Sequence, residues 1–152
     1  MLKSVSALTA VTVVGLAVCT SATPSDAKSS ATRLRCDAVG ASDSSVSASY
    51  DQRINKKQTR TKFSVTFEGT TTGGFVAGTP VVFTIDAVAV GTVPLAALGP
   101  TDLEAELRLD SKAHGKGHKK AFPPGFPVVQ AGSTVEAAVN GTVVLGCVLD
   151  LN

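Results

Sequence analysis

The chain has 152 residues, a formal net charge of +2 and 17% charged side chains. That length allows one ordinary domain, and so even a charge balance excludes binding of polyanions by bulk charge, as histones do it. With no Trp, one Met and many Val, Ala, Thr and Gly residues, the composition excludes a bundle of long amphipathic helices and points to short strands joined by turns.

Lys3 precedes a run from Val5 to Val18 that is almost entirely apolar or small, and the chain turns polar at Thr20 and Ser21. This pattern predicts a secretory signal peptide over 1–22, with cleavage after Ala22 or Ala27. The run is shorter than the roughly 20 residues of a comfortable bilayer span, and no later uncharged run is long enough, so no transmembrane segment is expected. Leu16 to Cys19 (LAVC) is similar to a bacterial lipobox but carries Val18 where a small residue is usual. A secreted or periplasmic location is therefore favoured over lipid anchoring at Cys19. Export implies an oxidising compartment, which predicts one disulfide between the remaining cysteines, Cys36 and Cys147, tying the first strand to the last on adjacent strands. Catalytic thiol chemistry lacks a CxxC pair or a histidine near either cysteine.

A small, polar, flexible leader is expected over 23–32, and a sandwich domain over 33–152. Alternation places strands at 33–38, 45–52 and 62–68, where Phe63, Val65 and Phe67 share one face against Ser64, Thr66 and Glu68. Gly69 to Gly78 read as a loop. Strands follow at 80–85 and 88–95 around an Asp86-Ala87 turn. TDLEAELRLD has helix-forming residues and a possible capping box, but a period of two runs through Leu103, Ala105, Leu107 and Leu109, so 102–110 is read as a strand. Val135 to Val139 and Val143 to Leu149 flank Asn140-Gly141, the strongest short hairpin signal. The expected fold is all-β, a single antiparallel two-sheet β-sandwich with immunoglobulin-like or related Greek-key topology. No internal repeat is apparent.

Two segments carry clustered positive charge. RINKKQTRTK holds Arg53, Lys56, Lys57, Arg60 and Lys62, and AHGKGHKKAFPPGFP holds Lys116, Lys119 and Lys120. Counting strands makes 53–61 the second connection and 111–125 the sixth, so both loops are expected at one end of the sandwich. Such a tip would attract an anionic polysaccharide, a lipid headgroup or another polyanion. Neither segment interleaves bases with aromatics for stacking, so nucleic acid is not expected as a partner. Phe122 and Phe126, around a Pro124-Gly125 type II turn, are expected to plug the sandwich end.

His114 and His118 are separated by glycines and lack further ligands with metal spacing, and the acids Asp102, Glu104, Glu106 and Asp110 spread along a strand instead of wrapping a cation. No metal or other cofactor is expected. Asn140-Gly141-Thr142 matches the N-glycosylation pattern within a tight turn that would hinder it. Both histidines fall in one glycine-rich loop, which lacks the rigid positioning that catalysis requires. The reading is an exported, non-enzymatic β-sandwich with a structural or surface-interaction role in the envelope or extracellular matrix, its partner another envelope or matrix protein. The alternative is an anion-binding module using the two basic loops.

Overall fold

The structure is a computed structural model that describes residues 29–113 and 119–152. The segment read as a signal peptide, with Cys19, and His114, Lys116 and His118 lie outside the described residues. The described chain is all-β: β1 (Ser30–Val39), β2 (Ser45–Asn55), β3 (Gln58–Thr70), β4 (Pro80–Ile85), β5 (Val88–Pro94), β6 (Ala96–Ala97), β7 (Asp102–Asp110), β8 (Thr134–Val139), β9 (Thr142–Val148) and β10 (Asp150–Leu151). They form two antiparallel sheets, a larger one in the order β10-β1-β2-β3-β7-β6 and a smaller one in the order β5-β4-β8-β9. TDLEAELRLD is strand β7, as its alternation predicts.

Alternation also decides which side chains form the core. Leu34 and Cys36 on β1, Val46, Ala48 and Tyr50 on β2, Phe63, Val65 and Phe67 on β3 and the apolar residues of β7 are buried. They meet Val81, Phe83 and Ile85 of β4 with Val135 and Ala137 of β8. Phe126 closes one end of this core, 5.8 Å from Phe63 and 4.6 Å from Phe122, both edge to face. Gly125 has φ 76° and the Phe126 amide donates to the Pro123 carbonyl at 3.2 Å, the geometry expected of the Pro124-Gly125 turn.

The Cys36–Cys147 disulfide forms, with Cα atoms 5.6 Å apart and a sequence separation of 111. It joins β1 of the larger sheet to β9 of the smaller one, so the expected adjacency of the two strands runs across the sheets, and β9 is the last strand but one. The strand neighbouring β1 at that edge is instead β10, which pairs Leu151 with Leu34. The chain reaches β10 by crossing between sheets at Leu149, which is fully buried. At the opposite edge it crosses from β5 to β6 at buried Leu95. Each crossing falls at the last residue of a segment that the alternation reads as a strand, so β6 and β10 lie beyond the strands read from the sequence.

These crossings belong to a repeat that the sequence conceals. The hairpins β4–β5 and β8–β9 match at constant spacing: Val81 pairs with Val93 as Val135 pairs with Cys147, and Ile85 with Val88 as Val139 with Thr142. Both hairpins bulge at the same place, after Phe83 and after Ala137. Both turn on two positive-φ residues, Asp86-Ala87 and Asn140-Gly141. The Gly78 amide donates to the Leu95 carbonyl at 2.8 Å, and the Gly132 amide to the Leu149 carbonyl at 2.8 Å. β4 and β8 pair about Phe83–Ala137. The larger sheet obeys the same two-fold about Ser47–Thr66, with β3 equivalent to β2, β7 to β1 and β6 to β10.

Three more expectations are revised. β1, β2 and β3 are consecutive neighbours in one sheet, whereas an immunoglobulin domain puts its second and third strands in opposite sheets. Residues 53–61 are not a loop. β2 and β3 run on to Asn55 and Gln58, leaving only Lys56-Lys57 as the turn. β1 starts at Ser30, inside the segment read as leader.

Candidate anion-binding face

The larger sheet turns one face to the core and the other outward, and its register arranges the outward side chains in rows. One row is Arg53–Arg60 on β2 and β3. The next is Arg33–Asp51–Lys62–Asp110 across β1, β2, β3 and β7, followed by Arg35–Ser49–Ser64–Arg108. Arg53, Arg60 and Lys62 are thus on one face because they share a strand phase, each two residues from the next along the hairpin or opposite across it. Lys57 occupies the turn, and Lys56 sits beside it with an interaction of its own.

The second basic segment arrives at the same end. β7 runs antiparallel to β3, so Asp110 lies opposite Lys62 and the chain leaves β7 next to the hairpin. Lys120 then lies along β7: its amide donates to the Arg108 carbonyl at 2.9 Å, and the Asp110 amide donates to its carbonyl at 3.0 Å. Lys119 Nζ comes within 4.0 Å of Asp110 Oδ2. The described parts of the two basic segments therefore converge, as the strand count predicts. Arg33, Arg35 and Arg108 join them on this face; single strands carry no signal for this, and only the register brings them together.

The convergence is held by an acid. Asp110 is 3% exposed and accepts Arg60 Nη2 at 2.7 Å, Arg60 Nε at 3.3 Å and the Lys112 amide at 3.0 Å. The Arg60 hydrogen bond is the chief reason its carboxyl titrates at about 2, below the usual 3.8, against a burial that pushes the other way. The same bond raises the Arg60 guanidinium above its ordinary value. Swinging to Asp110 also relieves the repulsion of two arginines placed directly opposite.

Arg33 pairs with Asp51 at 3.1 Å, an approach too oblique to be a hydrogen bond, and Arg108 pairs with Glu106. Arg35, Arg53 and Lys62 have no ion pair among the described residues. Between them Ser49 and Ser64 share a 2.9 Å hydrogen bond. They floor a groove of about 270 Å³ edged by Lys62, Arg108 and Lys119. The notch between Asp51, Arg53, Arg60 and Lys62 holds about 40 Å³. That is little more than one water's share of roughly 30 Å³, so an anion here would be met at the surface, not enclosed.

Among the described residues no three His, Cys, Asp or Glu side chains gather as a metal site requires, and no helix is long and apolar enough to cross a membrane. Compared with known proteins, the chain matches no family model, no curated protein and no solved structure.

Proposed function

We propose that this is an exported, non-catalytic β-sandwich with a structural or surface-interaction role in an envelope or extracellular matrix. The observation that carries this reading is the Cys36–Cys147 bridge between the two sheets, which is at home in an oxidising compartment. The N-terminal charged-then-apolar pattern supports the same destination. The topology is read as a relative of the Greek-key sandwiches, since β10 returns by a long path to lie beside β1 of the β1–β2–β3 meander. Expression of the full chain in a secreting host, followed by fractionation, tests the reading. Recovery outside the cytosol with the bridge intact supports it, and retention in the cytosol with free thiols refutes it.

A second reading, a module for anionic polysaccharide, lipid headgroup or another polyanion, is favoured by the convergence of Arg53, Arg60, Lys62 and Lys119 at one end of one face. Retention on a heparin column that weakens steeply with salt supports it. Elution in the void volume at low salt leaves the structural role alone.

A further inference from the structure

Charges on the outer face of the larger sheet are segregated along the strand direction. In the half beginning at the Ser47–Thr66 row, the charged residues of β1, β2, β3 and β7 are Asp37, Glu68, Asp102, Glu104 and Glu106, with no base among them; Lys120, at the edge of β7, lines a depression with Glu104 and Glu106. In the other half the bases of β1, β2, β3 and β7 outnumber Asp51, Asp110 and Asp150. Backbone symmetry does not require this. The two-fold that relates β1 to β7 makes Arg33 equivalent to Asp102 and Arg35 to Glu104, so the sign inverts at matching positions. Between the halves lie the small hydroxyl side chains of Ser47, Ser49, Ser64 and Thr66, which let another sheet approach to about 10 Å.

We propose that the outer face of the larger sheet is a docking surface for a second copy of this chain, stacked face to face with its strands reversed. The two-fold of that pair lies along the rows, between Ser47–Thr66 and Ser49–Ser64. This operation returns each strand to its own counterpart: the basic row Arg35–Ser49–Ser64–Arg108 lies on Asp37–Ser47–Thr66–Glu106, and the mixed row Arg33–Asp51–Lys62–Asp110 lies on Val39–Ser45–Glu68–Glu104, where Asp110 meets Glu104 with its charge already held by Arg60. Arg35 then faces Asp37 of the second copy, Arg108 faces Glu106, and Lys62 faces Glu68; each contact occurs twice because the interface is isologous. A polyanion would complement only one half of the face and be repelled by the other. A second copy complements both, which is why it is the occupant argued for. The centre is polar and the ion pairs are solvated, so the association is modest and salt-dependent. The proposal goes beyond the exported role and does not depend on it.

Charge exchange at Lys62 and Glu68 tests this. They are six positions apart on β3, about 20 Å, too far for an ion pair within one chain. Sedimentation velocity of the full chain from micromolar to millimolar concentration should show a monomer–dimer equilibrium at low salt that is lost at high salt. Lys62→Glu alone and Glu68→Lys alone should each raise the dissociation constant by at least about tenfold, because each sets like charges together twice. An equimolar mixture of the two single variants should recover the dimer, and so should the double variant, since both restore opposite charges across the interface. A wild type that stays monomeric throughout, or a mixture and a double variant that both stay monomeric, overturns the proposal.

Discussion

Arg60 reaches past its own row to grip Asp110, with Nη2 2.7 Å from Oδ2 and Nε 3.3 Å from Oδ1, while the register sets Lys62 opposite Asp110. This contact fastens the β2–β3 hairpin to the point where the chain leaves β7.

Its first consequence is a pH dependence. The folded carboxyl titrates at about 2 against an ordinary 3.8. A depressed carboxyl contributes stability that is fully present above the unfolded value and is lost as pH falls from there through about 2. With Arg60 half exposed, the contribution is about 1–2 kcal/mol. Urea titrations at neutral pH should find Asp110→Asn less stable by about 1–3 kcal/mol, since Arg60 and the Lys112 amide lose a charged acceptor. The gap should narrow between pH 4 and pH 2, and an equal gap at both ends would show that the carboxylate charge is not what stabilises.

The pseudo-two-fold gives a second prediction. It carries Cys36 onto Ala105 and Cys147 onto Val93, at the edge where β5 covers β7. Ala105 is buried and Val93 packs against the core. Val93→Cys with Ala105→Cys should therefore oxidise to a second inter-sheet bridge without distortion. Non-reducing peptide mapping should recover a crosslink between positions 93 and 105, and denaturation should shift by about 2–3 kcal/mol for so short a loop. Free thiols at both positions would show that the two edges are not equivalent.

The turns of the two hairpins yield a third. Ala87 has φ 65° where its counterpart Gly141 has φ 79°, and an L-residue with a Cβ is strained there. Ala87→Gly should stabilise by about 0.5–1 kcal/mol, and Gly141→Ala should destabilise by about 1 kcal/mol. Thermal melts of the two variants moving in the same direction would contradict the shared turn geometry.

What the sequence reveals here tracks how strongly one face differs from the other. Phe63, Val65 and Phe67 against Ser64, Thr66 and Glu68 state both the strand and its phase, and Leu103 to Leu109 overcome a helical propensity in the same way. The hairpin from Gln52 to Thr61 has no such contrast. Beyond Tyr50 its inward side chains are Gln52, Ile54, Thr59 and Thr61, and Ile54 is 46% exposed; the hairpin outruns the smaller sheet, so it reads as a loop. The basic face was half legible. Its two charge-dense segments are visible, but Arg33, Arg35 and Arg108 are single outward residues on separate strands that only the pairing register assembles. The repeat escapes notice because a two-fold of the backbone constrains register, bulge and turn, while identities are scattered, among them Leu34/Leu103, Val46/Val65, Gly78/Gly132, Val81/Val135, Val90/Val144 and Leu95/Leu149, with different spacings in the two sheets.

A final prediction comes from how the two edges divide their volume. A Cβ on Gly91 would lie 2.7 Å from Leu107 Cδ2, so β5 passes β7 where only hydrogen fits. At the equivalent edge the large residue is on the smaller sheet: Leu145 replaces Gly91, Ala38 replaces Leu107, and Leu145 Cδ1 lies 3.2 Å from the Cβ position of Gly40. The same gap is filled from opposite sides. Gly91→Leu alone overpacks a core position beside a Leu107 that is 2% exposed, and should cost about 2–3 kcal/mol. Leu107→Ala alone leaves a cavity and should cost about 2–5 kcal/mol. Combined, they move the leucine across the interface into the arrangement of the opposite edge, and chemical denaturation should find the double variant at least about 1.5 kcal/mol more stable than the sum of the single losses implies. Simple additivity would mean that the edges share a backbone but not a packing solution.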